Sequence, residues 1–482
     1  MGNGRRASNL RPRHPVTLAL VQRLDDQAVL RREVDAAGEP RFGMLETIRE
    51  YGLEQLAASG EETAIHDAHA AWCVDFAERV EPELTGPDQA LWIQRLEADL
   101  GNIRAAHDWL AVRWLAVRMD TESALRLAGA IGWFWSSAPY LEEARERFDA
   151  VLALPNAERF PASLAKVLAS AGDIADWQGD QPRARAHYER ALAIYRALGD
   201  RWRMVSMLRG LGSSAIDRGE SDLALALLEE SLALAREVGH DWEAAAAANL
   251  LGTTVSARGD FLGGFARHEE AAAGWRALGD TGHVITALAS AGWAAVMARE
   301  PGRAAAAYGE ALALAIAGDD AWYTAWSVIG GGGLAATRSD PRLAARLLAA
   351  GMEERQRLGV PLRPHVASAL DQIVDTLRAR LGATAFTALW ESGRTVPIAE
   401  AASQAATLFE ATKSEESSPY GLTRRERDVL RLMADGLTDK EIADALFLAR
   451  ATASKHVAAV LVNLGVDSRS AAVAVALRQD LV

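Results

Sequence analysis

His66 and His69 lie three residues apart, a spacing that on a helix turns two imidazoles to one side and could clamp a metal ion. No third ligand follows at a suitable distance, and no CxxC or Cys/His cluster offers a tetrahedral set, so the pair is expected to be solvated or to sit at a core edge. The one cysteine, Cys73, cannot form an internal disulfide, which points to a reducing, cytoplasmic compartment. No GxxxxGK[ST] occurs, so no phosphate-cradling loop with its lysine is expected. No Ser/His/Asp or Cys/His arrangement stands at a recognisable spacing. The chain therefore reads as a non-enzyme with no catalytic residues, no metal and no cofactor. Trp202, Trp242 and Trp322 recur at a common interval and could line a ligand groove or fill gaps between helices; packing is the expected role.

Half of the 482 residues are apolar, enough to bury large cores, and length alone suggests about three domains. A formal charge of -13 excludes a chain that coats nucleic acid along its length, because phosphate neutralisation needs clustered Lys and Arg. Any DNA contact must be local. The start MGNGRRASNLRPRHP is basic without an apolar run and reads as a disordered arm over 1–16. The longest uncharged apolar run, Val284–Ala298, is shorter than a membrane span and fits a repeat helix; no membrane partner is expected.

The middle of the chain is periodic. Gly132, Gly172, Gly212, Gly252, Gly292 and Gly332 are spaced 40 apart, and twelve residues after each comes a second small residue: Ala144, Ala184, Ala224, Gly264, Ala304 and Ala344. Turn signals keep step, at Gly179-Asp180, Gly219-Glu220 and Gly259-Asp260, and about half a period on at Gly199-Asp200, Gly239-His240 and Gly279-Asp280. Each unit is thus predicted to be two antiparallel helices, which bury their apolar faces only against the next unit.

Ahead of the repeats, a helix from Leu18, strands at Leu30–Val34 and Arg41–Leu45 around a turn at Ala36–Pro40, and a helix ending at Gly60 suggest part of a winged helix. At the other end, Thr423–Glu426 and Thr438–Glu441 are T-x-x-E capping boxes, Gly436 and Gly465 are helix stops, and Ser468 can cap a last helix. Four short helices follow, with Val429, Leu430, Met433, Ile442, Ala443, Leu446, Val457, Val460, Leu461, Leu464, Val473 and Leu477 facing inward. Between repeats and C-terminal helices, Lys413–Gly421 reads as a flexible tether.

The segment LTRRERDVLRLMADGLTDKEIADALFLARATASKHVAAVLVNLGVDSR resembles the LuxR-type helix-turn-helix domain over its whole length. The resemblance implies that the helix Arg450–Leu464 enters the major groove, that Arg450, Thr452, Ser454, Lys455 and His456 face DNA, and that Lys440 and Arg469 contact the backbone. It also implies pairing through the last helix, about Arg469–Asp480, hence a dimer on double-stranded DNA. Three positions depart from the family: Ala449 stands for Ser, Ser454 for Lys, and Asn463 for Lys. The segment 421–482 holds nine Lys and Arg against eight Asp and Glu, so its local charge is nearly balanced.

The repeats resemble tetratricopeptide repeats through their small residues, with Tyr188 and Tyr308 four residues after the second small position and Ala191, Ala271 and Ala311 three further on. In that register Asp173, Arg209 and Asn249 form a candidate ligand face. The segments RFGMLETIREYGLEQLAASGE and LGATAFTALWESGRTVPIAEA resemble parts of large ATP-binding bacterial regulators, here without their ATPase module.

The expected fold is all-α: an arm over 1–16, a winged-helix remnant over 17–60, a helical connector over 61–124, a tetratricopeptide-like solenoid with its cap over 125–411, a linker over 412–420 and a LuxR-type domain over 421–482. The expected function is a DNA-binding transcriptional regulator whose solenoid senses a protein, peptide or small molecule. The alternative is a tetratricopeptide-like adaptor whose degenerate helix-turn-helix no longer binds DNA.

Overall fold

The structure, a computed structural model, describes residues 15–27, 29–34, 40–85, 88–112, 120–136, 140–359, 364–416, 420, 422, 424–446, 448, 450–479 and 481. Residues 1–14 of the arm expected over 1–16, most of the turn at Ala36–Pro40, Thr423 with its capping box, Phe447 and Ala449 lie outside the described residues, while Pro15 and Val16 already belong to the first helix, which corrects the arm's expected end. The chain divides into two compact units, 1–214 and 215–482, taken separately below.

In the first unit the helix Pro15–Asp26 leads into strands β1 (Leu30–Val34) and β2 (Pro40–Met44), which pair antiparallel with Leu30 opposite Met44. The helix Glu46–Ser59 follows and stops at Gly60, whose φ of 77° suits a residue without Cβ. The expected hairpin between helices is therefore present, but it lacks a core of its own. Among the described residues, the first buried apolar side chain is Ala70, in the helix Glu62–Val80. A charged clamp holds the hairpin instead: Arg41 gives both Nη atoms to the buried Asp99 carboxylate and Nη2 also to the Ala98 carbonyl at 2.9 Å.

The repeats emerge with the predicted period. First helices of successive pairs begin at Pro161, Arg201, Asp241, Thr281 and Ala321, and second helices at Gln181, Ser221, Phe261, Pro301 and Pro341, every start 40 residues from the last. The earliest unit is irregular, its first helix broken at Ile131 into Thr121–Ala130 and Gly132–Trp135 before Leu141–Leu152. Local chemistry explains the regularity. Asp180, Asp260, Asp280, Asp320 and Asp340 each accept the N–H three residues on, and Gly179, Gly199, Gly219, Gly239, Gly259 and Gly279 all take positive φ just before a helix or its cap. At the later turns Arg299, Asp319 and Ser339 adopt positive φ without glycine, which is why the glycine signal fades there.

Within a pair, the recurring glycine receives a large side chain from the second helix, sixteen residues on: a Cβ on Gly172 would stand 2.5 Å from Tyr188, on Gly252 2.8 Å from His268, on Gly292 2.6 Å from Tyr308 and on Gly332 2.6 Å from Leu348. These four side chains are buried. Glycine and knob together set how closely the paired helices approach. The helix Thr281–Ala298 is long and apolar enough to cross a membrane by length and composition, but more than half of it is buried among its neighbours, as for a repeat helix.

The helices Pro364–Leu381, Ala383–Arg394 and Ile398–Glu416 complete the second unit's array. Ala401, Ala402, Ala405 and Phe409 of the last enter the core beside Tyr308 and Leu347. That helix continues through Glu416, which corrects the tether expected from Lys413: residues 413–416 are helical, because the face carrying Phe409 and Thr412 is buried and keeps the turn that follows it in register.

Of the tryptophans expected to pack, Trp242 and Trp322 are partly buried, but Trp202 is 50% exposed. The repeat period therefore does not give these indoles one environment.

Candidate nucleic-acid interface

The C-terminal helices Arg424–Ala434, Asp439–Ala445, Arg450–Asn463 and Arg469–Arg478 enclose a core of Leu422, Val429, Leu430, Met433, Ile442, Ala443, Ala453, Val457, Val460, Leu464, Ala472 and Ala476. The second helix opens on the predicted capping box: the Thr438 hydroxyl accepts the Glu441 N–H, and the Glu441 carboxylate accepts the Thr438 N–H at 2.7 Å. The Thr438 N–H first, and the Thr438 hydroxyl donating to Glu441 Oε2 at 2.7 Å after it, hold the Glu441 carboxyl below its usual range. Ser468 caps the last helix at the Ala471 N–H, and Gly436 and Gly465 take φ of 82° and 65°.

One inward assignment fails. Leu477 is 66% exposed and Val473 only partly buried, while Ala472 and Ala476 fill the core positions. The helix is turned by about one residue, roughly 100°, from the expected face, because the small alanines let it lie closer to the first helix than leucine would.

The third helix has a clean division of faces. Ala453, Val457, Val460 and Leu464 point into the core; Thr452, Lys455, Ala458 and Val462 lie exposed on the opposite side. Arg450 is exposed at its start and His456 is half-buried at its flank. Lys440 is exposed on the second helix. A hydroxyl and an ammonium thus stand on the outward face of the helix's first two turns, followed by small apolar side chains.

Two candidates are engaged inside the domain. The Ser454 hydroxyl donates to Asp439 Oδ2 at 2.7 Å. Arg469 donates Nη1 to Asp439 Oδ1 at 2.8 Å and Nη2 to the Leu437 carbonyl. The Asp439 carboxyl sits below its usual range, through the Ser454 hydrogen bond first and the Arg469 contact after it. Asn463 donates to Glu426 Oε2 at 3.2 Å, so this departure from the family pattern faces the first helix.

In the repeats, the three candidate residues find partners or near neighbours of different kinds. Asp173 accepts the Tyr188 hydroxyl at 2.8 Å, and burial first, then the charge of Asp173, pushes that phenol's pKa up, against the pull of Arg209. In the second unit Asn249 Oδ1 lies 2.7 Å from Nδ1 of the buried His268. Asp173 and Asn249 thus satisfy buried groups of their own repeats, a role that spacing could not reveal. Also invisible in the sequence is the cluster in which Asp280 accepts Trp242 Nε1 at 3.0 Å and contacts His283 Nδ1 at 2.8 Å, with the imidazole against Trp275.

His66 stacks on Trp109 with centroids 4.4 Å apart, and His69 lies half-buried with Nε2 3.8 Å from Cys73 Sγ. Burial, with the Asp99 charge after it, pushes the Cys73 thiol up to about 12. Among the described residues no group of three or more His, Cys, Asp and Glu is placed to hold a metal ion.

Residues 421–476 match the luxR family of bacterial regulatory proteins. The spore germination protein GerE of Bacillus subtilis is 42% identical over 66 residues, 14% of this chain and 88% of that protein. A Mycobacterium tuberculosis protein described as an HTH-type transcriptional regulator is 28% identical over 173 residues, 34% of this chain; the chain spans 19% of that relative's length. Among solved structures, a signal-transduction ATPase with a tetratricopeptide repeat sensor from Pyrococcus horikoshii aligns with 74% of this chain and 60% of its own, at 14% identity and a TM-score of 0.46.

Proposed function

The chain belongs to the luxR family of bacterial regulatory proteins, and from that premise we propose that it regulates transcription by binding double-stranded DNA through residues 421–482, under control of a partner held by its repeats. The observation that carries this reading is the third helix of the C-terminal domain, anchored by Ala453, Val457, Val460 and Leu464 and turning Thr452 and Lys455 outward. An outward helix face with its polar residues in the first turns is what major-groove reading requires. Arg450, His456 and Lys440 flank it; Arg450 and Lys440 add positive charge for phosphates.

The partner of the repeats is a protein, peptide or small molecule, with Asp173 and Arg209 as candidate contacts in the first unit and Asn249, separately, in the second. A dimer on DNA, paired through the last helix, fits the exposed Leu477 there, 66% accessible. On this reading the chain acts by binding rather than by catalysis, in the cytoplasm.

Selection of the full chain against random double-stranded DNA, followed by gel shift on the enriched sequences, tests the proposal. Enrichment of a two-fold related site that Lys455→Ala weakens is the expected result. No enrichment, together with capture of a partner by the repeats, favours the adaptor.

A further inference from the structure

Asp439 joins three of the four helices of the C-terminal domain at one carboxylate. It is the first residue of the helix Asp439–Ala445, where a negative charge complements the helix N-terminus. Its two oxygens are divided between elements: Oδ2 takes the hydroxyl of Ser454, fifteen residues on in the third helix, and Oδ1 takes Nη1 of Arg469, thirty residues on in the last. Arg469 is fixed from a second side by the Leu437 carbonyl, just before the same helix. The ion pair is about one-third exposed on each side chain, so it sits at the domain surface and not in its core.

We infer that Asp439 is a positioning residue for DNA binding, which orients the start of the third helix through Ser454 and holds the Arg469 charge within the domain instead of leaving it to phosphate. This rests on the DNA-binding reading above. A phosphate approaching Arg469 meets a carboxylate already bonded to that guanidinium, and the attraction of the one is offset by the repulsion of the other. Ser454 is likewise committed, its hydroxyl proton directed at Asp439. The set left to meet DNA is Lys440, Arg450, Thr452, Lys455 and His456. Asp439 thereby lowers phosphate affinity while keeping the reading helix in place, a division that favours sequence-dependent contacts over general attachment.

The test uses the full chain and a random-sequence duplex of about 30 base pairs, titrated between about 50 and 200 mM salt. Arg469→Ala is expected to leave the slope of log K against log[salt] unchanged. Asp439→Asn, which keeps an acceptor for Ser454 but removes the negative charge that offsets Arg469 and leaves the guanidinium its Leu437 carbonyl, is expected to steepen it by about 0.9, and adding Arg469→Ala to Asp439→Asn should remove that increment. Hydrogen exchange over residues 450–463 should rise in Asp439→Ala and stay close to wild type in Asp439→Asn. A slope made shallower by about 0.9 in Arg469→Ala alone, or an unchanged slope in Asp439→Asn, overturns the inference while wild-type binding stands. Loss of all binding in the wild type overturns the DNA-binding reading and this inference with it.

Discussion

The ring of Tyr308 occupies the space that a side chain on Gly292 would need: a Cβ there would stand 2.6 Å from Cδ2. Gly330, on the first helix of the next pair, approaches the same ring from another side, where a Cβ would come within 2.2 Å of Cζ. Phe409 stacks on it with centroids 6.0 Å apart. One buried tyrosine thus joins two repeats and the array's last helix.

Gly292→Val should destabilise the second unit by about 2 kcal/mol or more, since a branched side chain cannot be admitted without moving a fully buried ring. Gly252→Val should do the same, because its Cβ would also meet the Gly264 carbonyl at 2.9 Å, which is backbone and cannot rotate away. Thermal unfolding measures both, and a variant melting like wild type contradicts the glycine-and-knob packing.

His268 occupies the knob position against Gly252, and burial lowers its pKa to about 4. The native state therefore favours the neutral imidazole. Its stabilising contribution is complete above the unfolded value near 6.5 and is lost as pH falls from there through about 4, to a total of about 3 kcal/mol. His268→Leu, the residue type of Leu228 and Leu348 at the matching positions, should flatten this part of the profile. Denaturant unfolding between about pH 7 and 4 reads the difference, and parallel curves for the two proteins would contradict it.

With its thiol pushed up to about 12 and its side chain enclosed, Cys73 should react with a thiol reagent at pH 8 far more slowly in the native protein than after unfolding. Equal rates in the two states would mean that this part of the first unit opens readily.

Lys455→Ala should weaken specific DNA binding by about 1–3 kcal/mol and relax sequence preference, whereas Lys440→Ala should weaken all sequences alike and make the salt slope shallower by about 0.9. Asn463→Lys should leave the slope unchanged, because that position faces Glu426 and a new ammonium would pair there. Competition and salt titrations with the full chain distinguish these outcomes; a steeper slope in Asn463→Lys would place the helix differently on DNA.

Much of this architecture was legible from residues alone because its determinants are local. The 40-residue period rests on helix stops and caps such as Gly179-Asp180, each needing only a few neighbours to act. The capping box at Thr438 and the stops at Gly436 and Gly465 likewise bound the C-terminal helices within one turn of chain. What tertiary structure decided are relationships between residues far apart in sequence. Helical periodicity leaves the rotation of a short helix open by one residue, so only contact with the first helix selected Ala472 and Ala476 over Val473 and Leu477. The end of the helix Ile398–Glu416 depends on burial of Phe409 and Thr412, not on the polar composition that suggested a tether. Ser454 and Arg469 look free for DNA when read as residue types, and only the fold brings Asp439 to both, because hydrogen bonding and charge act through space while spacing along the chain records neither.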